Sequence, residues 1–280
     1  MEILRTAGEL RRWSRKERND GGKTIGLVPT MGALHAGHAS LICAAAASCG
    51  AVAVSIFVNP TQFGPNEDFA RYPCSFDADC ALAEAEGAHA VFAPGVDELY
   101  PTGAATFVDV EGLSNRLDGA SRPGHFRGVA TVVAKLLIAA EPDRAFFGQK
   151  DAAQVSVLRR MAADLRFGTE IVVCPIVREA DGLALSSRNV YLSPDERMKA
   201  LALSRAIRCV EAMTAAGERR AGALIEAARQ ILAAAEIRVD YVESADWGTL
   251  EPVETAGPGT LFAVAAWVGG TRLIDNTILG

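Results

Sequence analysis

The sequence predicts an α/β protein: a Rossmann-like, doubly wound parallel sheet followed by a smaller C-terminal α+β domain. Three observations predict it. Near-continuous apolar runs of β-branched residues, such as AVAVSIFV at 51–58, are the mark of strands covered on both faces. These runs alternate with Ala- and Leu-rich stretches of helical length. A strand, a helix and a strand over such a span make a βαβ unit with parallel strands. After about Val177 the alternation stops, and two helical stretches precede three strands, the order of an α+β domain.

Taken in order, residues 24–29 (TIGLVP) read as a buried strand that stops at Pro29, with Gly32 in the loop beyond it. Residues 36–49 read as a helix and 51–58 as the second strand. A helix over 75–86, a strand over 88–93, a helix over 129–140 and a short strand over 143–147 continue the alternation. A helix over 152–164 follows, then a strand over 170–174 stopped by Pro175. In the second part Pro194 opens a helix reaching about residue 216, and a second runs over 221–235. Residues 239–243, 261–268 and 271–278 read as strands. The domain boundary is expected near Ile176, giving a larger domain over 1–176 and a smaller domain over 177–280. No internal repeat is visible, and the Ala-rich tracts are good helix formers rather than linkers.

The 280 residues suffice for two domains. A formal charge of -6 is a poor basis for nucleic-acid binding, which needs a concentrated positive field. It leaves room for an anionic substrate inside a locally positive cleft. None of the six cysteines forms a C-x-x-C pair, so they read as reduced thiols of a cytoplasmic protein. No apolar run approaches the roughly 20 residues of a membrane span, and no positively charged start leads into a signal-like apolar stretch.

The chemistry concentrates where strands end. Pro29-Thr30-Met31-Gly32-Ala33-Leu34-His35-Ala36-Gly37-His38 lies at the carboxyl end of the first strand and opens the first helix. Open α/β sheets bind ligands there, and a helix start offers free N–H groups to phosphate. His35 and His38 are three apart and can share a helix face, and Gly37 lets a ligand approach the backbone. Three readings compete: ordinary structural histidines, metal ligands, or phosphate ligands. No third His, Cys or carboxylate stands at supporting spacing for a metal. Neither G-x-G-x-x-G nor the P-loop pattern occurs.

Asn59-Pro60-Thr61-Gln62 follows the second strand on the same sheet edge. Its two amides could hold a hydroxy acid, or could simply build a turn around Pro60. Gly148-Gln149-Lys150-Asp151, with Gln154 one turn later, places a lysine at a third strand end, although an exposed helical lysine is ordinarily a solvated one. Ser186-Ser187-Arg188, close to the expected boundary, can bind phosphate oxygens through charge-assisted hydrogen bonds or serve as a plain loop before the helix at Pro194. Arg122-Pro123-Gly124-His125-Phe126-Arg127-Gly128 reads as a polar turn before a helix.

Together these segments resemble the pantoate–β-alanine ligase family of the nucleotidyltransferase group. The matching stretches are VPTMGALHAGH, SIFVNPTQF, RPGHFRGVATVV, FFGQKD and READGLALSSRN, in the family's order over roughly residues 25–190. The closing Thr271-Arg272-Leu273-Ile274-Asp275-Asn276 is similar too. The departures are mild: Leu185 stands where Met is expected and Gln149 where Glu is also common.

The resemblance implies ATP, pantoate and β-alanine as substrates, a pantoyl-adenylate intermediate, Mg2+, and a homodimer. Carried over position by position, it implies that His35 and His38 contact the ATP phosphates. Lys150, Ser186, Ser187 and Arg188 would stabilise the phosphates as well, with Gly37, Gly148 and Asp151 nearby. Gln62 and Gln154 would hold pantoate, Met31 would line its cleft, and Asn59 and Tyr72 would assist. The smaller domain is expected to close over the nucleotide, and the metal ligands are not identified. The rival readings are a nucleotidyltransferase for a phosphorylated substrate, a regulatory nucleotide binder and a tRNA-charging relative. Residues 59–62 and Lys150 favour the ligase. The absence of a basic stretch disfavours tRNA.

Overall fold

A computed structural model of the chain describes residues 1–64, 69 and 72–280. In chain order the elements are β1 (Glu2–Leu4), α1 (Ala7–Gly21), β2 (Ile25–Thr30), α2 (Ala36–Ser48), β3 (Ala51–Ile56), α3 (Phe76–Ala85), β4 (Ala90–Phe92) and α4 (Val96–Leu99). They continue with α5 (Asp118–Ser121), α6 (His125–Ala140), β5 (Arg144–Gly148), α7 (Ala152–Asp164) and β6 (Glu170–Cys174). The remainder is α8 (Pro194–Ala215), α9 (Ala221–Ala234), β7 (Arg238–Asp246), β8 (Thr260–Val268) and β9 (Thr271–Leu279).

The chain divides into two compact units, residues 1–148 with 157–174, and residues 149–156 with 175–280. In the first, six strands pair in parallel in the order β1-β4-β3-β2-β5-β6. The strand order reverses between β2 and β5, so the crevice that open α/β sheets use for ligands lies at their carboxyl ends. β2 and β3 are buried along nearly their whole length. That burial explains their unbroken apolar runs, since both faces of a parallel sheet are covered. Val28, Ile42, Val54, Val91 and Phe146 belong to one core cluster of this unit.

The sequence reading gave no element before residue 24, yet β1 and α1 are there. β1 is three residues long, too short for a periodic signal. α1 is rich in charge and buries only Leu10, Trp13 and Ser14. It is fixed instead by a capping box between Thr6 and Glu9 and by ion pairs from Arg15 to Glu141 at 2.8 Å and from Arg18 to Asp143 at 2.9 Å. The segment expected as a polar turn is corrected in part: α6 begins at His125, not near 129. Gly124 takes φ +84°, and the helix starts directly after it.

The second unit contains an antiparallel sheet ordered β7-β8-β9 and the helices α8 and α9. Ser193 caps α8, with Pro194 in its first turn and Glu196 closing a capping box. Leu203, Ile207, Val210, Leu224 and Leu232 of the helices cluster with Phe262, Val264 and Leu273 of the sheet. Residues 149–156 group with this unit and 157–164 with the first, so the division falls inside α7.

Candidate active site

In the first unit the site starts from the loop between β2 and α2. The sequence suggested that His35 and His38 share a helix face; in the structure they cap the helix reciprocally. His35 is the N-cap residue, and its Nδ1 accepts from the Gly37 N–H at 3.1 Å. The His35 N–H in turn donates to His38 Nδ1 at 3.3 Å. The two ring centroids lie 4.1 Å apart. An Nδ1 that accepts a backbone N–H carries no hydrogen, so in both rings the hydrogen sits on Nε2. Two imidazole Nε2–H donors at a helix N-terminus are suited to phosphate oxygens.

Asp79 of α3 holds this loop in place. Its carboxylate accepts from the N–H groups of Ala33 at 2.9 Å and Leu34 at 2.8 Å, and from Ser75 Oγ at 2.9 Å. The loop turns through φ +85° at Gly32 and +50° at Ala33. Successive amides in such a conformation form a concavity that takes an anion, here the protein's own carboxylate. A Cβ on Gly32 would stand 3.0 Å from Asp79 Oδ2 and 3.2 Å from Ile56.

Asn59 and Gln62, after β3, form a second cluster. Asn59 is buried, and its Nδ2 donates to Gln62 Oε1 at 3.0 Å and to the Gly128 carbonyl at 3.1 Å. Its Oδ1 accepts from Thr61 Oγ1 and from the Tyr100 hydroxyl, both at 2.9 Å. Both amide hydrogens and the carbonyl of Asn59 are therefore engaged within the protein. Burial pushes the Tyr100 phenol above its ordinary value, which keeps it a donor. Gln62 Nε2 points to Met31 Sδ at 2.9 Å, a weak acceptor.

The loop is braced from α6. Arg122 donates to His125 Nε2 at 2.9 Å, so the ring hydrogen is on Nδ1, which donates to the Gln62 carbonyl at 2.8 Å. Gly128 lets α6 lie against the loop, because a Cβ there would be 2.3 Å from the Thr61 carbonyl oxygen. The Tyr72 ring sits edge-on to Phe63, with centroids 6.0 Å apart.

In the second unit Lys150 lies in a short 3₁₀ turn, Gln149–Asp151, with Nζ 3.7 Å from the Asp151 carboxylate. Gln154 follows in the first turn of α7 and is partly buried. Asn276 of β9 donates through Nδ2 to the carbonyls of Gln149 at 3.0 Å and Lys150 at 2.8 Å. Residues 177–185 form a tight hairpin closed by Glu179 N to Leu183 O at 2.8 Å and Leu185 N to Val177 O at 3.0 Å. Ser186 follows directly and caps the 3₁₀ turn Ser187–Tyr191, its Oγ accepting from the Arg188 N–H at 3.3 Å.

Behind the hairpin, Arg178 grips Asp275 with a two-pronged bond of 2.7 and 2.9 Å. Burial pushes the Asp275 carboxyl up, against the Arg178 fork, the Asn276 N–H at 2.8 Å and the charge of Lys150. Three donors at hydrogen-bond distance converge on its two oxygens.

Within the first unit the structure thus brings together Met31, Asn59 and Gln62, and separately His35, Gly37 and His38. Gly148 ends β5 beside β2 on the same sheet edge. Within the second unit it brings together Lys150 and Asp151, and Ser186 and Arg188. Sequence reasoning missed Asp79, Tyr100, Arg178 and Gly128 as supports. No local signal marks Asp79 or Tyr100, whereas Arg178, Asp275 and Asn276 stood inside stretches already singled out. Among the described residues no group of three or more His, Cys, Asp or Glu could hold a metal ion, and no helix is long and apolar enough to cross a membrane.

Comparison with known proteins gives the family. The family model described as pantoate-beta-alanine ligase matches residues 2–278. A pantothenate synthetase from Acidobacterium capsulatum is 63% identical over 93% of this chain and 87% of its own length. One from Moorella thermoacetica is 55% identical over 100% and 99%. The solved pantothenate synthetase of Thermus thermophilus superimposes with a TM-score of 0.93 at 46% identity, covering 99% of both chains. A pantoate-beta-alanine ligase from Francisella tularensis, solved with beta-gamma ATP and beta-alanine, gives a TM-score of 0.81 at 32% identity over 99% and 97%.

Proposed function

This chain belongs to the pantoate–β-alanine ligase family, and we propose that Gln62 and the phosphate-binding set His35, His38, Lys150, Ser186, Ser187 and Arg188 carry out that family's reaction. The reaction joins pantoate to β-alanine through pantoyl adenylate. One carboxylate oxygen of pantoate attacks the α-phosphorus of ATP, an O–P bond forms, and pyrophosphate leaves with the electrons of the broken bond. The β-alanine nitrogen then attacks the activated carbonyl, loses its proton, and AMP departs. A free carboxylate could not acylate the amine, because its leaving group would be oxide.

The first step brings two anions together and spreads charge over the phosphate oxygens, so the protein's task is positioning and positive potential. The observation that carries the reading is the histidine cap. Backbone amides hold both Nδ1 atoms, so each ring is committed to an Nε2–H donor at the start of α2. Lys150 and Arg188 add full charges, and Ser186, Ser187 and the backbone near Gly37, Gly148 and Asp151 add neutral contacts.

Gln62 suits pantoate for a related reason. Its Nε2 rests on a thioether sulfur, which a carboxylate or hydroxyl oxygen outcompetes. Met31 would line that pocket, Gln154 would bind pantoate as a second amide, and Asn59 would act by orienting Gln62. Mg2+ enters as the counter-ion of the ATP substrate, held chiefly by phosphate oxygens as this cation prefers. A homodimer working in the cytoplasm completes the proposal, and light scattering tests the dimer.

Pyrophosphate release from ATP, measured with pantoate in the presence and absence of β-alanine, tests the function. A burst with pantoate alone and sustained AMP release with both acids are expected. Lys150→Ala should lower turnover by roughly 10²-fold, the scale for losing one preorganised donor. Near-normal turnover in a folded Lys150→Ala variant overturns the assignment.

A further inference from the structure

The final strand carries a run of buried polar residues, among them the adjacent pair Asp275 and Asn276, which the reaction itself does not use. Asp275 and Asn276 are 2% and 3% exposed. They sit on β9, an edge strand of the antiparallel sheet, and neighbours on a strand face opposite ways. Asp275 shares its face with Leu273 and Leu279, which belong to the core cluster with α8 and α9. There it meets Arg178, whose Nη1 also donates to the Gly182 carbonyl at 3.2 Å. Arg178 is bridged to Ala184 across the hairpin, two residues before Ser186.

On the other face, Asn276 spends both amide hydrogens on the carbonyls of Gln149 and Lys150, and its Oδ1 accepts from Gln149 Nε2 at 3.4 Å. A plain β-strand would place apolar residues at such positions, since burying polar groups is costly unless every one is bonded. Here the polar atoms bond to the lysine turn on one face and to the base of the serine hairpin on the other.

We propose that Asp275 and Asn276 are positioning residues: Asn276 fixes the backbone that presents Lys150, and Asp275, through Arg178, fixes the hairpin that presents Ser186 to Arg188. The proposal rests on the assignment of Lys150 and Ser187 as phosphate ligands. Two segments far apart in the chain are thereby set by one dipeptide. A lysine is a flexible point charge, so the placement of its backbone limits where Nζ can reach. A misplacement of about 1 Å at a reacting centre can cost roughly 10²-fold in rate.

A double-mutant cycle distinguishes positioning from general structural support. Adenylation is measured by single-turnover pyrophosphate release in the wild type, Asn276→Ala, Lys150→Ala and the double variant, with folding checked by thermal melting. Asn276→Ser, which keeps one hydroxyl donor, replaces Asn276→Ala if the latter does not fold. Asn276→Ala is expected to slow adenylation about 10-fold or more in the wild-type background, within the range of misplacement effects. In the Lys150→Ala background it should change the rate by less than about threefold, since the group it positions is gone.

The same fold-loss in both backgrounds, or no loss in the single variant, overturns the proposal. The second arm is read in the same way, with Arg178→Lys crossed against Ser187→Ala. Full adenylation by Lys150→Ala alone is a separate result. It removes the assignment on which the first arm rests, and the positioning of Lys150 falls with it.

Discussion

At the scale of single residues, side chains of the candidate site spend their hydrogen bonds on protein and so fix how a neighbour is held. Asp79 is the clearest case. It is buried and satisfies two successive amides of a loop that runs through positive φ at a non-glycine position. Left-handed backbone at a residue with a Cβ costs about 1–2 kcal/mol, and each amide left buried without a partner costs about 1–3 kcal/mol. Asp79→Ala should therefore lower unfolding stability by about 2 kcal/mol or more, read from urea denaturation, and should slow adenylation with it. A loss under about 0.5 kcal/mol, with full adenylation, would show that the loop keeps its shape without the carboxylate. Asn59 stands in the same relation to Gln62, its amide wholly engaged and the glutamine amide turned toward sulfur.

At the scale of elements, close approach matters more than propensity. Gly128 lies in α6, where alanine would normally be better by about 1 kcal/mol. Here the added carbon would stand 2.3 Å from a carbonyl oxygen and 2.7 Å from Gln62 Cα. Those are backbone atoms and cannot swing aside. Gly128→Ala should lower the melting temperature, because overpacking of this kind costs about 1–3 kcal/mol and outweighs the gain in propensity. By displacing residues 59–62 it should also raise the KM for pantoate more than the KM for ATP. Steady-state kinetics against each substrate check this, and equal changes in both would place the loop outside the pantoate pocket. The helix caps show the opposite balance. Thr6 with Glu9, and Ser193 with Glu196, fix α1 and α8 by local chemistry alone.

At the scale of the whole molecule, stability as a function of pH depends on which carboxylates gain partners on folding. In the hairpin before Ser186, the Arg197 guanidinium holds the Glu179 carboxyl below its ordinary value of 4.5, at 2.6 Å. A carboxyl lowered by folding contributes stability that is complete above its unfolded value and is lost as pH falls through its folded value. The melting temperature should thus hold between neutral pH and about 5 and fall as pH decreases further. Arg197→Met should be less stable than the wild type at neutral pH, and the gap should close as pH falls toward about 3. A gap that stays constant with pH would remove Glu179 from the acid response.

The alternation of strands and helices, the parallel sheet and the change of pattern after residue 177 were legible in the sequence. Buried strands must be apolar on both faces, and the Ala- and Leu-rich stretches between them are good helix formers. The loops after β2, β3 and β5 stand out as site candidates for a similar reason: each follows the end of a strand, where an α/β sheet binds ligands. What the order of residues could not disclose was partnership at a distance. Asp79 against Ala33, Tyr100 against Asn59, Gly128 against Thr61 and Asn276 against Lys150 are contacts between segments 41 to 126 positions apart in the chain. Nothing local marks one aspartate or asparagine as the residue that will be buried against a particular amide. Short-range propensity and periodicity are written along the chain. Which polar groups satisfy one another inside the protein is decided only when the chain packs, and that choice sets which way the site's donors point.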